Sequence, residues 1–339
     1  MKIVHVANYN YLKDGQSYYA TDYKIHQGLV RNGHFVYPFS YRDTARCANI
    51  FGSKKWGVGK TNKRLIETCR NIRPDLLLMA HAELITLETL REIRKMLPSI
   101  KIAMWFVDPL WLNHHITNIN SKLPALDLFF ATTGGELLRQ FKLPDNRVAY
   151  IPNIVDASIE SHKNYEREDL PIDFLFCGRD HKEPIRQAFL STLSEQLSGL
   201  NTRFAGCLGN PLIFGHNYTD TLGKAKTGLS YNRRNDVSLY MSDRIAQLTG
   251  NGILTFTPRI PSMEILYTED EVVYFDNIKD LITKATHFIS ADDEGREIAY
   301  RGWKKTHNSF NNIRVTRFIV ETIFNQAYSE PYEWRNELY

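Results

Sequence analysis

Cysteine is scarce in this chain: among 339 residues there are four, Cys47, Cys69, Cys177 and Cys207. None forms a C-x-x-C pair or has a His at zinc spacing, which argues against a disulfide-built domain or a zinc module and for reduced thiols in a cytosolic protein. Long apolar runs are missing, so no bilayer span is expected. Met1-Lys2 leads directly into the apolar stretch Ile3 to Ala7, so no signal peptide is expected either. The charge imbalance is slight, 42 Lys and Arg against 38 Asp and Glu, a net +4. That falls short of a nucleic-acid footprint and suits an anionic small ligand or an acidic membrane surface.

Several motifs are also absent. No G-x-G-x-x-G follows an apolar strand, which disfavours a nicotinamide dehydrogenase. The GVGKT ending at Thr61 has Lys54 where a P-loop needs its first Gly, and it lacks the preceding buried strand. Asp292-Asp293-Glu294 is not a D-x-D pair and sits where helix capping explains it, so we expect no catalytic metal.

What is present is a regular alternation. Hydrophobic residues make up 43% and charged residues 24%, as in soluble globular proteins, and the length suits two α/β lobes better than one core. Apolar runs at Lys2–Asn8, His34–Phe39, Leu76–Ala80, Ile100–Val107, Asp127–Ala131 and Arg147–Ile151 read as buried parallel strands. Helical segments are predicted at 18–31, 61–72 and 86–96, with Gly33 closing the first. Ligands of open α/β sheets collect at C-terminal strand ends. His81 falls at one such end and reads as a contact residue or a structural histidine. Asp108 falls at another and reads as a general base, or as an N-cap or turn carboxylate; His114 and His115 continue its loop toward an acceptor. The basic stretch Arg42 to Lys60 is expected to be a loop, either touching an acceptor or lipid headgroup or simply solvated. Residues 157–170 are charged and aperiodic and read as a linker.

A second alternation follows, with strands at Ile172–Cys177, Thr202–Ala205, Thr227–Tyr231, Ile253–Thr257 and Glu271–Phe275 and helices at 278–289, 294–307 and 313–328. After Cys177 comes Gly178-Arg179-Asp180-His181-Lys182, where Asp180 is either a reacting carboxylate or the N-cap of a helix over 183–197. Thr227 to Pro258 reads as strand, polar loop with Asn232 and Arg233, helix over 240–248, Gly252 turn and strand. Ser242 and Arg244 then fall in the first turns of that helix, where free amides, a hydroxyl and a guanidinium would meet an anion.

These stretches resemble the GT-B glycosyltransferases, and most closely the CgeB-like branch of the "glycosyl transferases group 1" proteins. The resemblance is carried by Arg244, Gln247 and Gly252, where the family has Arg, Glu and Gly; by Leu29 to His34; by Arg73-Pro74-Asp75; and by Ile151 to Asp156 as the exit from the first lobe. It implies two Rossmann-like doubly wound parallel-sheet lobes facing a cleft. The expected division is 1–156 for the acceptor, a linker at 157–170, 171–311 for the nucleotide sugar, and 312–339 packing back on the first lobe. It further implies donor contacts from Gly178, Arg179, Lys182, Gly206, Asn232, Arg233, Ser242, Arg244 and Gln247, with Gln247 in the ribose position, and acceptor contacts from Tyr11, His81 and His114. Asp108 as base or Asp180 as nucleophile would carry the chemistry, without cofactor or metal. A weaker similarity to bacterial retaining β-Kdo transferases makes CMP-Kdo the leading donor, with a UDP- or GDP-sugar or a catalytically silent binding subunit as alternatives. The implied setting is surface-polysaccharide synthesis in the cytoplasm, with a saccharide acceptor that is lipid-linked in one version and peripheral contact at the inner membrane face.

Overall fold

The computed structural model describes residues 1–180 and 183–339. They form two compact units, Met1–Pro152 with Asn312–Tyr339, and Asn153–Asn311.

The first unit is built on strands β1 (Lys2–Ala7), β2 (Phe35–Ser40), β3 (Leu76–Ala80), β4 (Lys101–Phe106), β5 (Leu128–Ala131) and β6 (Arg147–Tyr150). All pairs are parallel, in the order β2-β1-β3-β4-β5-β6. The inner strands are predominantly apolar because helices cover both faces of such a sheet. Pro38 is accommodated because β2 is an edge strand. At the other edge, Tyr339 and Val148 exchange backbone hydrogen bonds of 2.9 and 3.0 Å and Leu338 bridges Ala149 in antiparallel sense, so the C-terminal tail caps β6. The tail is anchored by Arg314, whose Nε and Nη1 donate to Glu330 and Glu333 at 2.6 and 2.7 Å and whose guanidinium lies over Tyr332 and Trp334.

The second unit is built on β7 (Ile172–Cys177), β8 (Thr202–Ala205), β9 (Ala225–Leu229), β10 (Leu254–Pro258) and β11 (Val273–Phe275), again all parallel, in the order β11-β10-β9-β7-β8. Phenylalanines 174, 176, 204, 256 and 275 fill its core against Leu190 and Leu193 of the following helix. In each sheet the first strand of the unit has its successors on opposite sides. The switch point lies between β1 and β3 in one unit and between β7 and β9 in the other, and the crevice at such a point is where open α/β sheets bind ligands.

Several expectations are corrected. The stretch from Arg42 to Lys60 is not one loop: helices at Tyr41–Cys47 and Val58–Ile72 take both ends, and only about residues 48–57 are irregular. The Asp43 carboxylate fixes the first helix by accepting from Tyr11 N at 2.8 Å and Ser40 Oγ at 2.5 Å. His114 and His115 lie in a helix, Asn113–Asn120, not in a loop. Residues 157–170, expected to be the linker between lobes, belong to the second unit, where Asn164 Nδ2 donates to Leu222 O and Ala225 O, both at 2.8 Å.

The final helix, Asn312–Ile323, crosses the helix Thr21–Arg31 at Gly28, where a Cβ would sit 2.3 Å from Asn312 O. Gly28→Ala is therefore expected to destabilise the first unit by about 1–3 kcal/mol, the range for overpacking. Denaturant unfolding compared with Gly59→Ala, where nothing crowds the added carbon, checks this; equal midpoints would contradict it.

Candidate functional site

At the β7/β9 switch point two arginines converge. Arg244 is the first residue of the helix Arg244–Gly250. Its Nε donates to Cys177 O at 2.6 Å and its Nη1 to Tyr231 O at 3.1 Å, so one guanidinium ties together the segments leaving both strands. Arg186 comes from the helix Pro184–Gln196, on one face with the buried Leu190 and Leu193 and with the buried Leu197 at the C-cap. It is only 7% exposed, and among the described residues its Nε and Nη2 have no hydrogen-bond partner. Both guanidinia lie over the Phe176 ring, at 4.7 Å for Arg244 and 5.2 Å for Arg186. Gly178 makes room for them: a Cβ there would stand 2.5 Å from Arg244 Nη2 and 3.1 Å from Arg186 Nη2.

Burial, and next the neighbouring Arg244 charge, bring the Arg186 pKa down to about 9. Two cations held side by side with donors unsatisfied form a site that an anion completes, since a buried unpaired charge is costly and charge-assisted hydrogen bonds are among the strong ones. Phe189 stacks on Tyr231 at 4.1 Å beside this pair.

Around it, the expected donor residues are placed unequally. Gly206 has a φ of +79°, and a Cβ on it would meet Leu212 at 2.4 Å and Gly178 O at 3.1 Å, so the loop after β8 comes down onto Gly178. Asp180 is buried and accepts from Leu208 N at 2.9 Å; it fastens this loop and is not the N-cap of the next helix, a position held by Glu183. Arg179 is exposed, Arg233 reaches Glu183 at 3.4 Å, and Lys182 lies outside the described residues.

The helix expected over 240–248 starts later, at Arg244, with Leu239 at φ +55° and its N bonded to Pro261 O at 3.0 Å. Ser242 therefore precedes the helix. Asn232 Oδ1 accepts from Ser242 N at 2.9 Å, and Ser242 Oγ accepts from Arg244 N at 3.3 Å. With that first amide taken and Asp243 as N-cap, the cationic centre is the arginine pair and not the helix tip. Gln247 is buried, its Oε1 accepting from Tyr218 Oη and its Nε2 donating to Asp243 Oδ2 at 3.0 Å.

The first unit carries a second cluster at its switch point. Trp105 Nε1 can only donate, so His5 Nε2 accepts from it at 3.2 Å. His5 Nδ1 must then donate to Tyr9 Oη at 2.7 Å, and Tyr9 Oη donates to His26 Nδ1 at 3.0 Å. Burial holds the His5 pKa well below its usual range, in keeping with the neutral ring this chain of donors requires.

At the ends of β3 and β4, His81 Nδ1 lies 3.4 Å and His115 Nε2 3.9 Å from Asp108 Oδ2. His81 has a φ of +51° and Ala82 one of +47°, sparsely populated conformations that turn the His81 ring onto Phe106 at 4.2 Å. Burial lowers the His81 pKa, with Asp108 acting in the opposite direction. His115 Nδ1 lies 2.8 Å from Pro109 O and so carries its proton there, turning Nε2 toward the carboxylate. Asp108 is exposed and is not a helix cap, since Leu112 holds that position. His114 and Tyr11 are exposed; Tyr11 stacks on Tyr9 at 5.5 Å. Among the described residues no group of three or more His, Cys, Asp or Glu is arranged to hold a metal ion.

A family model described as "Glycosyl transferase-like" matches residues 183–321, a stretch that includes Arg186 and Arg244. No curated protein matches the sequence. Among solved structures, sucrose-phosphate synthase from Thermosynechococcus elongatus aligns over 96% of this chain and 98% of its own, with TM-score 0.62 and 10% identity. HepE from Anabaena, in complex with UDP-glucose, aligns over 96% and 100%, with TM-score 0.58 and 13% identity. A trehalose-6-phosphate synthase studied for glycosyl transfer with retention aligns over 96% and 100%, with TM-score 0.57 and 11% identity. The architecture, two Rossmann-like parallel-sheet units, is the GT-B fold.

Two predictions follow from the site. Arg186→Met, close in shape but uncharged, should raise the melting temperature of the ligand-free protein at neutral pH, because it removes an unpaired buried cation, and should abolish stabilisation by nucleotides. A lowered melting temperature with an intact nucleotide response would contradict this. The second concerns Asp22, which accepts from Asn8 N at 2.8 Å and whose pKa burial raises to about 6. A carboxyl raised on folding contributes stability below its unfolded pKa of about 3.9 and loses it as pH rises through 6. Asp22→Asn should therefore gain over wild type above pH 6 and not near pH 4. Melting curves across this range check it, and a difference independent of pH would refute it.

Proposed function

We propose that the chain is a glycosyltransferase that moves a sugar from a nucleotide-activated donor to a saccharide acceptor, its second unit receiving the donor phosphates on Arg244 and Arg186. The observation that carries this reading is the buried Arg186 guanidinium beside Arg244 at Gly178, its Nε and Nη2 without a hydrogen-bond partner among the described residues. In glycosyl transfer the C1–oxygen bond to the leaving group breaks and its electron pair passes to phosphate, so preorganised cations at that oxygen lower the barrier. The guanidinium pair supplies that charge, and no metal or cofactor is part of the proposal. The glycosyl transferase-like family match over both arginines supports the reading, as does the UDP-glucose in the complex of a protein with the same fold.

Two guanidinia converging on Gly178 suit the two phosphates of a nucleoside diphosphate sugar such as a UDP- or GDP-sugar. CMP-Kdo is the second reading, because one phosphate and the sugar's own carboxylate also present two anionic groups. Asp108, flanked by two histidines, would take the proton of the acceptor hydroxyl as a general base. If transfer instead passes through a covalent adduct, Asp180 is the carboxylate beside Gly178 to form it. Tyr11, His81 and His114 are assigned to the acceptor and Gln247 to the ribose. The setting we propose is synthesis of a surface polysaccharide on the cytoplasmic side.

A thermal-shift panel of UDP, GDP, ADP, CDP and CMP tests the donor class. Stabilisation by one or more diphosphates supports the main reading. Stabilisation by CMP alone, with a one-sugar mass gain after CMP-Kdo that disappears in Asp180→Asn, supports the second, and no response to any nucleotide contradicts both. In transfer assays with the stabilising donor, Asp108→Asn with Asp180→Asn should abolish turnover, whereas a binding-only protein would lose nothing. Arg244→Lys should weaken nucleotide binding about 10- to 100-fold, the cost of lost charge-assisted hydrogen bonds.

A further inference from the structure

Between the helices Tyr41–Cys47 and Val58–Ile72 the chain makes a projection that neither the fold nor the proposed reaction uses. Its tip carries Ile50, Phe51 and Trp56, which are 93%, 69% and 67% exposed, more than any other large apolar side chain described in this unit. An exposed cluster of large apolar side chains on a soluble surface marks a place of contact.

The projection is a built feature. Asn49 staples it, with Nδ2 donating to Ala45 O at 3.1 Å and Ser53 O at 2.7 Å and Oδ1 accepting from Ser53 N at 3.0 Å. Gly52 turns the chain at φ +61°. Gly57 brings the exit of the loop against the first helix, where a Cβ would collide with Ala45 backbone. Phe51 and Trp56 pack edge to face at 4.8 Å, giving a single apolar tip.

The charge around that tip has one sign. From Thr44 to Ile66 the chain contains Arg46, Lys54, Lys55, Lys60, Lys63 and Arg64 and no acidic residue, although the whole chain is nearly balanced. Lys55, Lys60, Lys63 and Arg64 are exposed. An apolar, Trp-bearing tip ringed by lysines matches the two layers of a membrane surface: the tip enters the headgroup–acyl boundary and the cations meet anionic headgroups. A second copy of the chain is a poor occupant, because a symmetric contact would set the same cations against one another.

We propose that this projection docks the protein onto an anionic lipid surface, with Ile50, Phe51 and Trp56 inserted and Lys54, Lys55, Lys60 and Lys63 on the headgroups. The inference is independent of the glycosyl-transfer reading, since it uses none of the residues assigned to donor or acceptor.

The test is co-sedimentation of the full chain with vesicles of mixed phosphatidylglycerol and phosphatidylcholine, against vesicles of phosphatidylcholine alone. Wild type should sediment with the anionic vesicles, weakly with the neutral ones, and progressively less as salt rises. Phe51→Ser with Trp56→Ser, and separately Lys54→Glu with Lys55→Glu, should each cut the bound fraction by about tenfold or more while leaving the melting temperature unchanged. Using two variant pairs guards against one of them failing to fold. The proposal is overturned by no sedimentation at low salt, by equal binding to both vesicle types, or by binding that survives both variants. It is also overturned if both variants abolish a concentration-dependent dimer and vesicle binding is absent.

Discussion

The second unit depends on a repulsion that the fold does not resolve. Arg186 and Arg244 approach the same glycine over the same phenylalanine ring, and among the described residues the Arg186 Nε and Nη2 have no hydrogen-bond partner. Such a pair weakens the free protein, and the surrounding structure holds it there: Arg244 is locked to the segments leaving β7 and β9, and Arg186 rides on the apolar face of its helix with Leu190 and Leu193. A helix start alone would attract an anion weakly at this place, because Ser242 Oγ already occupies the Arg244 amide. The same local cost becomes useful binding energy once an anion supplies the missing partner.

One buried polar cluster of the first unit is built in the opposite manner. Trp105, His5, Tyr9 and His26 form a chain in which the direction of each hydrogen bond is assigned, beginning from an indole that can only donate. That network supports the end of β1, while at β3 and β4 an exposed carboxylate stands between two imidazoles, one of them carried on a strained backbone. Rigid polar packing below and a titratable group above is an arrangement suited to proton transfer.

Much of this architecture was legible in the sequence because parallel strands buried on both faces are continuous apolar runs: β3 and β7 fall on the expected residues, and β1, β4 and β5 within a residue or two. The pair at the β7/β9 switch point was half legible. Arg244 stood out from its motif, but Arg186 resembled a surface arginine near a helix start; the signal was its spacing of four and seven from buried leucines. The helix expected from Tyr240 begins later because Leu239 adopts a left-handed conformation pinned to Pro261 and Asn232 holds the Ser242 amide, and tertiary hydrogen bonds of this kind leave no periodic trace. The contact between Asp180 and Leu208 was hidden for the same reason, since it joins residues far apart in the chain. Local spacing likewise gave no warning that Asp43 would convert the start of a basic stretch into a helix.

Where a phosphate binds is therefore decisive. A crystal structure of the full chain with bound UDP measures this directly: a phosphate oxygen within hydrogen-bonding distance of both the Arg186 and Arg244 guanidinia, beside Gly178, is the predicted result. A diphosphate seated elsewhere, with Arg186 still lacking a partner, would contradict it.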